Sequence, residues 1–192
     1  MAAHIDRVAS SQLPMLGKEE FYASIHGGDY LMCSGEDGIS VVIEKETRSP
    51  WSHMLMLWLP WPGSRWLTLE ATLQKGVHVG LASDYIDSYK GWLVLARRPK
   101  PTLAEIEAEL NAGLGLLDEG YDWQSEVTFA AHKLLRIFPI VNPPHEVYCS
   151  GLQQAMTRAT PYPIVTEGPI PATPEQIYTD ASVEAVCALL PA

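Results

Sequence analysis

Residues 53–59 read HMLMLWL, an apolar stretch around which the rest of the chain can be arranged. Side chains alternate between the two faces of a strand, and here leucines occupy one face while methionine and tryptophan occupy the other. Both faces are therefore apolar, which predicts a central strand covered on its two sides. Pro60 and Pro62 interrupt the run, which is far too short to cross a bilayer.

Other short apolar segments on both sides of this stretch predict further strands. Turn-forming residues separate them, and the spacing is typical of a mostly antiparallel sheet. A short helix is expected from Ile39 to about Thr47. The predicted strands are Tyr30–Cys33, Trp66–Leu73, Val77–Val79 and Gly91–Arg98.

The second half of the sequence predicts helices. Thr102 with Glu105 three residues later is a capping-box pattern that begins one helix. We expect further helices at about Trp123–Ile137, from Cys149 through Ala159, and at Thr173–Tyr178. Strands followed by helices indicate the α+β class, with an antiparallel sheet packed against helices.

The composition predicts a single domain over residues 1–192, with residues 1–20 as a loosely packed lead-in. Residues 161–192 are expected to form a proline-containing tail packed on that domain. The formal net charge of −10 argues against a general nucleic-acid binder. Three cysteines give no disulfide framework, and the start of the chain shows no signal peptide, so we expect a cytoplasmic protein without stable membrane insertion.

Cys149 is the candidate nucleophile because it falls at the start of an expected amphipathic helix. Leu152, Ala155, Met156 and Ala159 recur at helical spacing after it. Unpaired N–H groups and the helix dipole favour an anion in a first helical turn, and the thiolate is the nucleophilic form of cysteine. Cys33 and Cys187 lie in apolar surroundings that favour packing instead.

His53 and Glu70 are the candidate partners of this thiol. His53 begins the central strand, and Glu70 is a carboxylate inside the next predicted strand, so pairing of the two strands would bring them together. The alternatives are a histidine bonded to a nearby carbonyl and a glutamate on a solvated face. No CxxC, HxH or HExxH pattern and no nucleotide-binding loop is present, so we predict neither a metal nor a cofactor.

Several segments together resemble the permuted NlpC/P60 papain-like family, of the YiiX/YaeF type. The resemblance runs from about residue 28 to residue 160, and it is carried by Gly28–Leu31, Thr47–His53, Leu69–Ala71, Tyr121–Trp123 and Tyr148–Ser150. It implies a papain-like α+β fold in which the histidine strand precedes the cysteine helix. It further implies Cys149 as nucleophile, His53 as base and Glu70 as the group that orients His53. Gly151 departs from the glutamate that the family carries at this position.

The resemblance implies a thiol hydrolase that cleaves an amide or ester through an acyl-enzyme intermediate. The expected substrate is a small amide, a peptide or an acyl-lipid, and the sequence gives no oligomeric state. Acyl transfer of the lecithin–retinol acyltransferase type is one alternative, mildly favoured by the apolar Trp51–Trp61 surroundings. A catalytically silent binding module on the same fold is another.

Overall fold

The apolar segments form one seven-stranded sheet, mostly antiparallel. The computed structural model describes residues 13–35, 40–41, 44–45, 49–61, 65–120, 148–161, 163–164 and 172–190. Across the sheet the strand order is β1-β7-β6-β2-β3-β4-β5, and β1 runs parallel to β7. The strands are β1 Met15–Leu16, β2 Tyr30–Gly35, β3 His53–Trp61, β4 Arg65–Thr72, β5 Gly76–Leu81, β6 Gly91–Arg97 and β7 Glu184–Leu189.

Helices connect and cover these strands. They are α1 Lys18–Ser24, α2 Ser83–Ile86, α3 Leu103–Leu114, α4 Cys149–Thr157 and α5 Pro174–Tyr178. The predicted capping box is present at the start of α3, where the Thr102 hydroxyl accepts a hydrogen bond from the Glu105 backbone N–H at 3.2 Å. The Thr102 backbone N–H in turn donates to the Glu105 carboxylate at 2.6 Å. Both bonds satisfy N–H groups that have no partner within a helix.

The central strand β3 supplies side chains to two separate apolar layers. Met54 and Met56 pack in one layer with Leu152 and Met156 of α4. Leu55 and Leu57 pack in the other layer, which includes Phe21 of α1. These β3 residues are fully buried. The prediction of an α+β fold with a mostly antiparallel sheet packed against helices is therefore confirmed.

Several local predictions differ from the structure. The expected lead-in over residues 1–20 contains β1 and the beginning of α1, whose Phe21 is fully buried. The expected tail contributes β7, which pairs with β6 inside the sheet. The helix expected over Ile39–Thr47 is seen at residues 40–41 and 44–45, and the helix expected over Trp123–Ile137 lies outside the described residues.

A buried ion pair joins the end of β6 to α3. Arg98 Nη2 lies 2.5 Å from Glu109 Oε1, but the atoms do not have the alignment that a hydrogen bond requires. Burial raises the pKa of Glu109 to about 7, although the charge of Arg98 acts in the opposite direction. The folded chain therefore holds a proton on this carboxyl more tightly than the unfolded chain does.

The buried carboxyl of Glu109 should make stability depend on pH. Since its folded pKa exceeds the usual value of 4.5, its contribution is fully present below pH 4.5 and is lost as the pH rises to 7. The Glu109→Gln variant stays neutral at both pH values. Its free energy of unfolding should rise relative to wild type by about 3 kcal/mol between pH 4 and pH 8, measured by urea unfolding. Glu107→Gln, at an exposed position of α3, is the matched control, and a pH-independent difference for Glu109→Gln would contradict this account.

Candidate active site

Strand pairing brings His53 and Glu70 to the same end of the sheet. His53 is the first residue of β3, and Glu70 is the third residue from the end of the antiparallel β4. His53 Nε2 lies 3.2 Å from Glu70 Oε2, which is a hydrogen-bonding distance. The sequence predicted that these two residues lie close together if their strands pair. The strands do pair, and the residues are in contact.

The segment before β3 fixes the position of His53. The Ser52 backbone N–H donates to the Cys33 carbonyl at 3.0 Å, and its hydroxyl accepts from the Gly35 N–H at 3.1 Å. The Ser49 hydroxyl accepts from the backbone N–H of Trp51 at 2.9 Å. Serine hydroxyls thus close the turn locally, and His53 enters β3 from an anchored backbone.

Glu70 is a buried carboxylate with several hydrogen-bond donors around it. Its side chain is 3% exposed. Oε2 accepts from the Tyr85 hydroxyl as well as facing His53, while Oε1 accepts from the Thr68 hydroxyl at 2.9 Å. His78 Nε2 lies 3.8 Å from Oε1. Burial raises the pKa of Glu70, but the bonds from His53, Tyr85 and Thr68 outweigh burial and lower the pKa below its usual value.

His53 is held between Glu70 and the thiol of Cys149. Burial lowers the pKa of His53, but hydrogen bonds to Cys149 and Glu70, together with their negative charges, raise the pKa to about 10. Because Nε2 already faces Glu70 and Tyr85, Nδ1 is the ring nitrogen left available to the thiol. The arrangement favours the imidazolium form of His53 at neutral pH.

Cys149 occupies the first residue of α4, as the sequence predicts. Tyr148 before it is extended, with φ −100° and ψ 171°, so the helix begins at the cysteine itself. The free backbone N–H groups of this first turn and the helix dipole favour a negative charge there. His53 is thus hydrogen-bonded to Glu70, and Cys149 raises the pKa of His53. The catalytic roles of the three residues stay predictions.

The other two cysteines are in different environments. Cys33 lies directly opposite His53 across the β2–β3 pair, but burial raises its pKa well above the usual value, as do the charges of Glu70 and Cys149. Cys187 is buried in β7, and burial raises its pKa as well. Both thiols are therefore kept in the neutral form, which is a poor nucleophile.

Sequence reasoning missed Tyr85, Thr68 and His78 around the carboxylate. Thr68 lies two residues before Glu70, and this spacing puts both on one face of β4, so a strand-face argument could have found it. His78 is paired with Glu70 in the β4–β5 register. Tyr85 belongs to α2, for which the sequence analysis predicts no element, and no local pattern points to it.

Two further expectations concern the surroundings of the site. Trp51, part of the apolar surroundings that mildly favour an acyl-lipid substrate, is 1% exposed and packs against Tyr178 with ring centroids 5.0 Å apart. It belongs to the core. Among the described stretches between residues 13 and 190, no group of three or more His, Cys, Asp or Glu side chains is arranged to hold a metal ion.

The comparisons with known proteins support the fold and go no further. No family model matches the sequence, and no curated protein matches it. The fold is similar to the crystal structure of the metalloprotein YiiX from Escherichia coli O157:H7, with a TM-score of 0.63. The match has 15% identity and covers 84% of this chain and 96% of that chain. The described part of the chain contains no helix with the length and apolar character needed to traverse a bilayer.

Replacing the thiol should change the titration of its neighbouring histidine. In Cys149→Ala the two effects of Cys149 that raise the pKa of His53, a hydrogen bond and a charge, are lost, so this pKa should fall from about 10 by about one unit or more. The measurement is an NMR titration of the imidazole ring. Cys187→Ala removes a buried thiol from β7 and should leave the titration unchanged, whereas an unaltered pKa in Cys149→Ala would rule out the contact.

Gly80 leaves the space that Glu70 and Thr68 occupy. A β-carbon at this position would lie 2.7 Å from Glu70 Oε1 and 2.7 Å from Thr68 Oγ1. Gly80→Ala should therefore displace the carboxylate and lower the free energy of unfolding by about 1–3 kcal/mol in urea. At Gly27 an added β-carbon meets nothing within 4 Å, so Gly27→Ala is the control. Equal stability of the two variants would be inconsistent with the packing around Glu70.

Proposed function

We propose that this chain is a thiol hydrolase of the permuted NlpC/P60 papain-like type, cleaving an amide or ester bond. The observation that carries the proposal is the position of His53, which lies 3.2 Å from the buried Glu70 carboxylate and has its pKa raised by Cys149 as well as by Glu70. Such an enzyme needs a catalytic triad, which consists of a nucleophile, a base and a carboxylate that orients the base. The similarity to YiiX supports the fold that carries these three residues.

In the first half of the reaction, the Cys149 thiolate attacks the carbonyl carbon of the substrate. The carbonyl π electrons move onto oxygen, where the Cys149 backbone N–H at the start of α4 stabilises the negative charge. The imidazolium of His53 then gives its proton to the leaving amine or alcohol as the bond to carbon breaks. A thioester between the acyl group and Cys149 remains.

In the second half, water releases the acyl group. Neutral His53 takes a proton from the attacking water, and the tetrahedral intermediate collapses with departure of the Cys149 thiolate. The carboxylic acid product leaves, and the thiolate–imidazolium pair is regenerated. Throughout the cycle, Glu70 accepts the hydrogen bond from Nε2 and stabilises the imidazolium whenever it forms.

Water is the proposed acyl acceptor. The acyltransferase alternative drew on the apolar Trp51–Trp61 surroundings, and the Trp51 side chain of that stretch is buried in the core, where it offers no surface to an acyl chain. The substrate classes that fit the chemistry are small amides, peptides and esters. A panel of such substrates, with products identified by mass spectrometry, distinguishes hydrolysis from transfer to a lipid acceptor.

The Cys149→Ala variant tests the nucleophile. It lacks the sulfur that forms the thioester, so turnover should fall by at least about 10⁴-fold. Labelling at residue 149 by a thiol-directed probe should also disappear, as read by peptide mass spectrometry. Circular dichroism should remain that of the wild type, because alanine is well tolerated at the start of a helix.

The matched control is Cys187→Ala, which removes a different buried thiol and should retain turnover. Hydrolysis at the wild-type rate in Cys149→Ala would refute the mechanism. An intact Cys149 that reacts no faster than a simple thiol near pH 7, without hydrolysis of any substrate in the panel, would favour a binding module on the same fold.

A further inference from the structure

Tyr85, in helix α2, contacts both His53 and Glu70. The proposed mechanism assigns no role to any residue of this helix. Its hydroxyl donates to Glu70 Oε2 and lies 3.3 Å from His53 Nε2. Its ring stacks on the imidazole of His53, with centroids 5.9 Å apart and an interplanar angle of 19°. One side chain therefore touches the carboxylate through its hydroxyl and the histidine through its ring.

We propose that Tyr85 is a positioning residue that keeps Glu70 ionised and His53 protonated on Nε2 within the site. The expected effect of Tyr85 on turnover rests on the proposed function. Its effect on the protonation of Glu70 and His53 can be tested without any substrate. Tyr85 is not placed against the substrate or the thiol, so its role is exerted through Glu70 and His53.

The protons around Glu70 Oε2 allow one consistent assignment. The Tyr85 hydroxyl has a single proton, which it donates to the carboxylate, so it has none to donate to His53. An unprotonated Nε2 would place its lone pair against the carboxylate oxygen at 3.2 Å, which is repulsive. Nε2 must therefore carry a proton. When His53 is neutral, Nδ1 is then the nitrogen that accepts a proton from the thiol or from water.

The phenol proton stays on Tyr85. Burial raises the pKa of Tyr85, and the negative charge of Glu70 raises the pKa further. The phenol therefore remains a donor throughout the range in which proteins are folded, and Glu70 keeps its charge. Other titratable groups facing Glu70 are His53 from β3, His78 from β5 and the neutral thiol of Cys33 from β2.

The fold holds Tyr85 in place through α2. The backbone N–H of Ala82, just before the helix, donates to the Trp66 carbonyl in β4 at 3.0 Å. Ile86, the residue after Tyr85, is 3% exposed and belongs to the apolar layer that contains Leu55 and Leu57. Tyr89 contacts the Tyr85 ring, with centroids 5.7 Å apart. The ring is thereby fixed above His53 and restricts rotation of the imidazole.

Two substitutions separate the hydroxyl from the ring. Tyr85→Phe keeps the stacked ring but removes a donor from Glu70, so the pKa of Glu70 should rise by about one unit in a carboxyl NMR titration. The rate of Cys149 labelling falls at acid pH, and this fall should move to higher pH together with the pKa of Glu70. At higher pH the labelling rate should change little. Tyr85→Leu also removes the stacking and should lower hydrolysis at every pH.

The control is Tyr22→Phe, which deletes a hydroxyl that contacts Asp87 and has no contact with Glu70 or His53 among the described interactions. It should leave the Glu70 titration and the labelling profile unchanged. Wild-type behaviour of Tyr85→Phe in both measurements, or a uniform loss of labelling at all pH values without a shift of the fall at acid pH, would overturn the inference. Failure of the proposed function is distinguishable, because it would appear as hydrolysis that survives Cys149→Ala while the Glu70 titration still shifts.

Discussion

The site depends on the burial of one negative charge, the carboxylate of Glu70. Removing a carboxylate from water costs several kcal/mol unless hydrogen-bond donors replace the lost solvent. Here the donors come from β3, β4 and α2, through His53, Thr68 and Tyr85. Because His53 and Tyr85 come from other elements than the strand that carries Glu70, the full set of donors exists only when the sheet and the helix beside it have formed. Folding and assembly of the site are therefore one event.

The charge of Glu70 also sets the chemistry of its neighbours. Together with Cys149 it overcomes the effect of burial on His53, whose pKa rises to about 10. The same charge helps to keep the nearby thiol of Cys33 in its neutral form. Cys33 is therefore suited to packing in the core, whereas Cys149 lies at the start of α4.

Local patterns predicted local features well. The capping box at Thr102 depends on residues three positions apart, and the start of α4 at Cys149 depends on the helical spacing that follows it. Strands β1 and β7 and helix α1 were not foreseen, because their short segments lack a clear alternation. β7 pairs with β6, and β1 in turn pairs with β7. Pairing of this kind depends on the neighbouring strand, so the sequence of the short segment alone does not predict it.

The sequence by itself determined the α+β class, the central strand and the three residues that we propose to act together. Each follows from spacing within a segment or from resemblance across segments. Only the tertiary structure decided that Glu70 is buried, that Tyr85 donates to it, and that Trp51 lies in the core. The physical reason is that a buried charge is stabilised by whichever donors surround it in space. Sequence spacing does not determine which residues of distant elements those are.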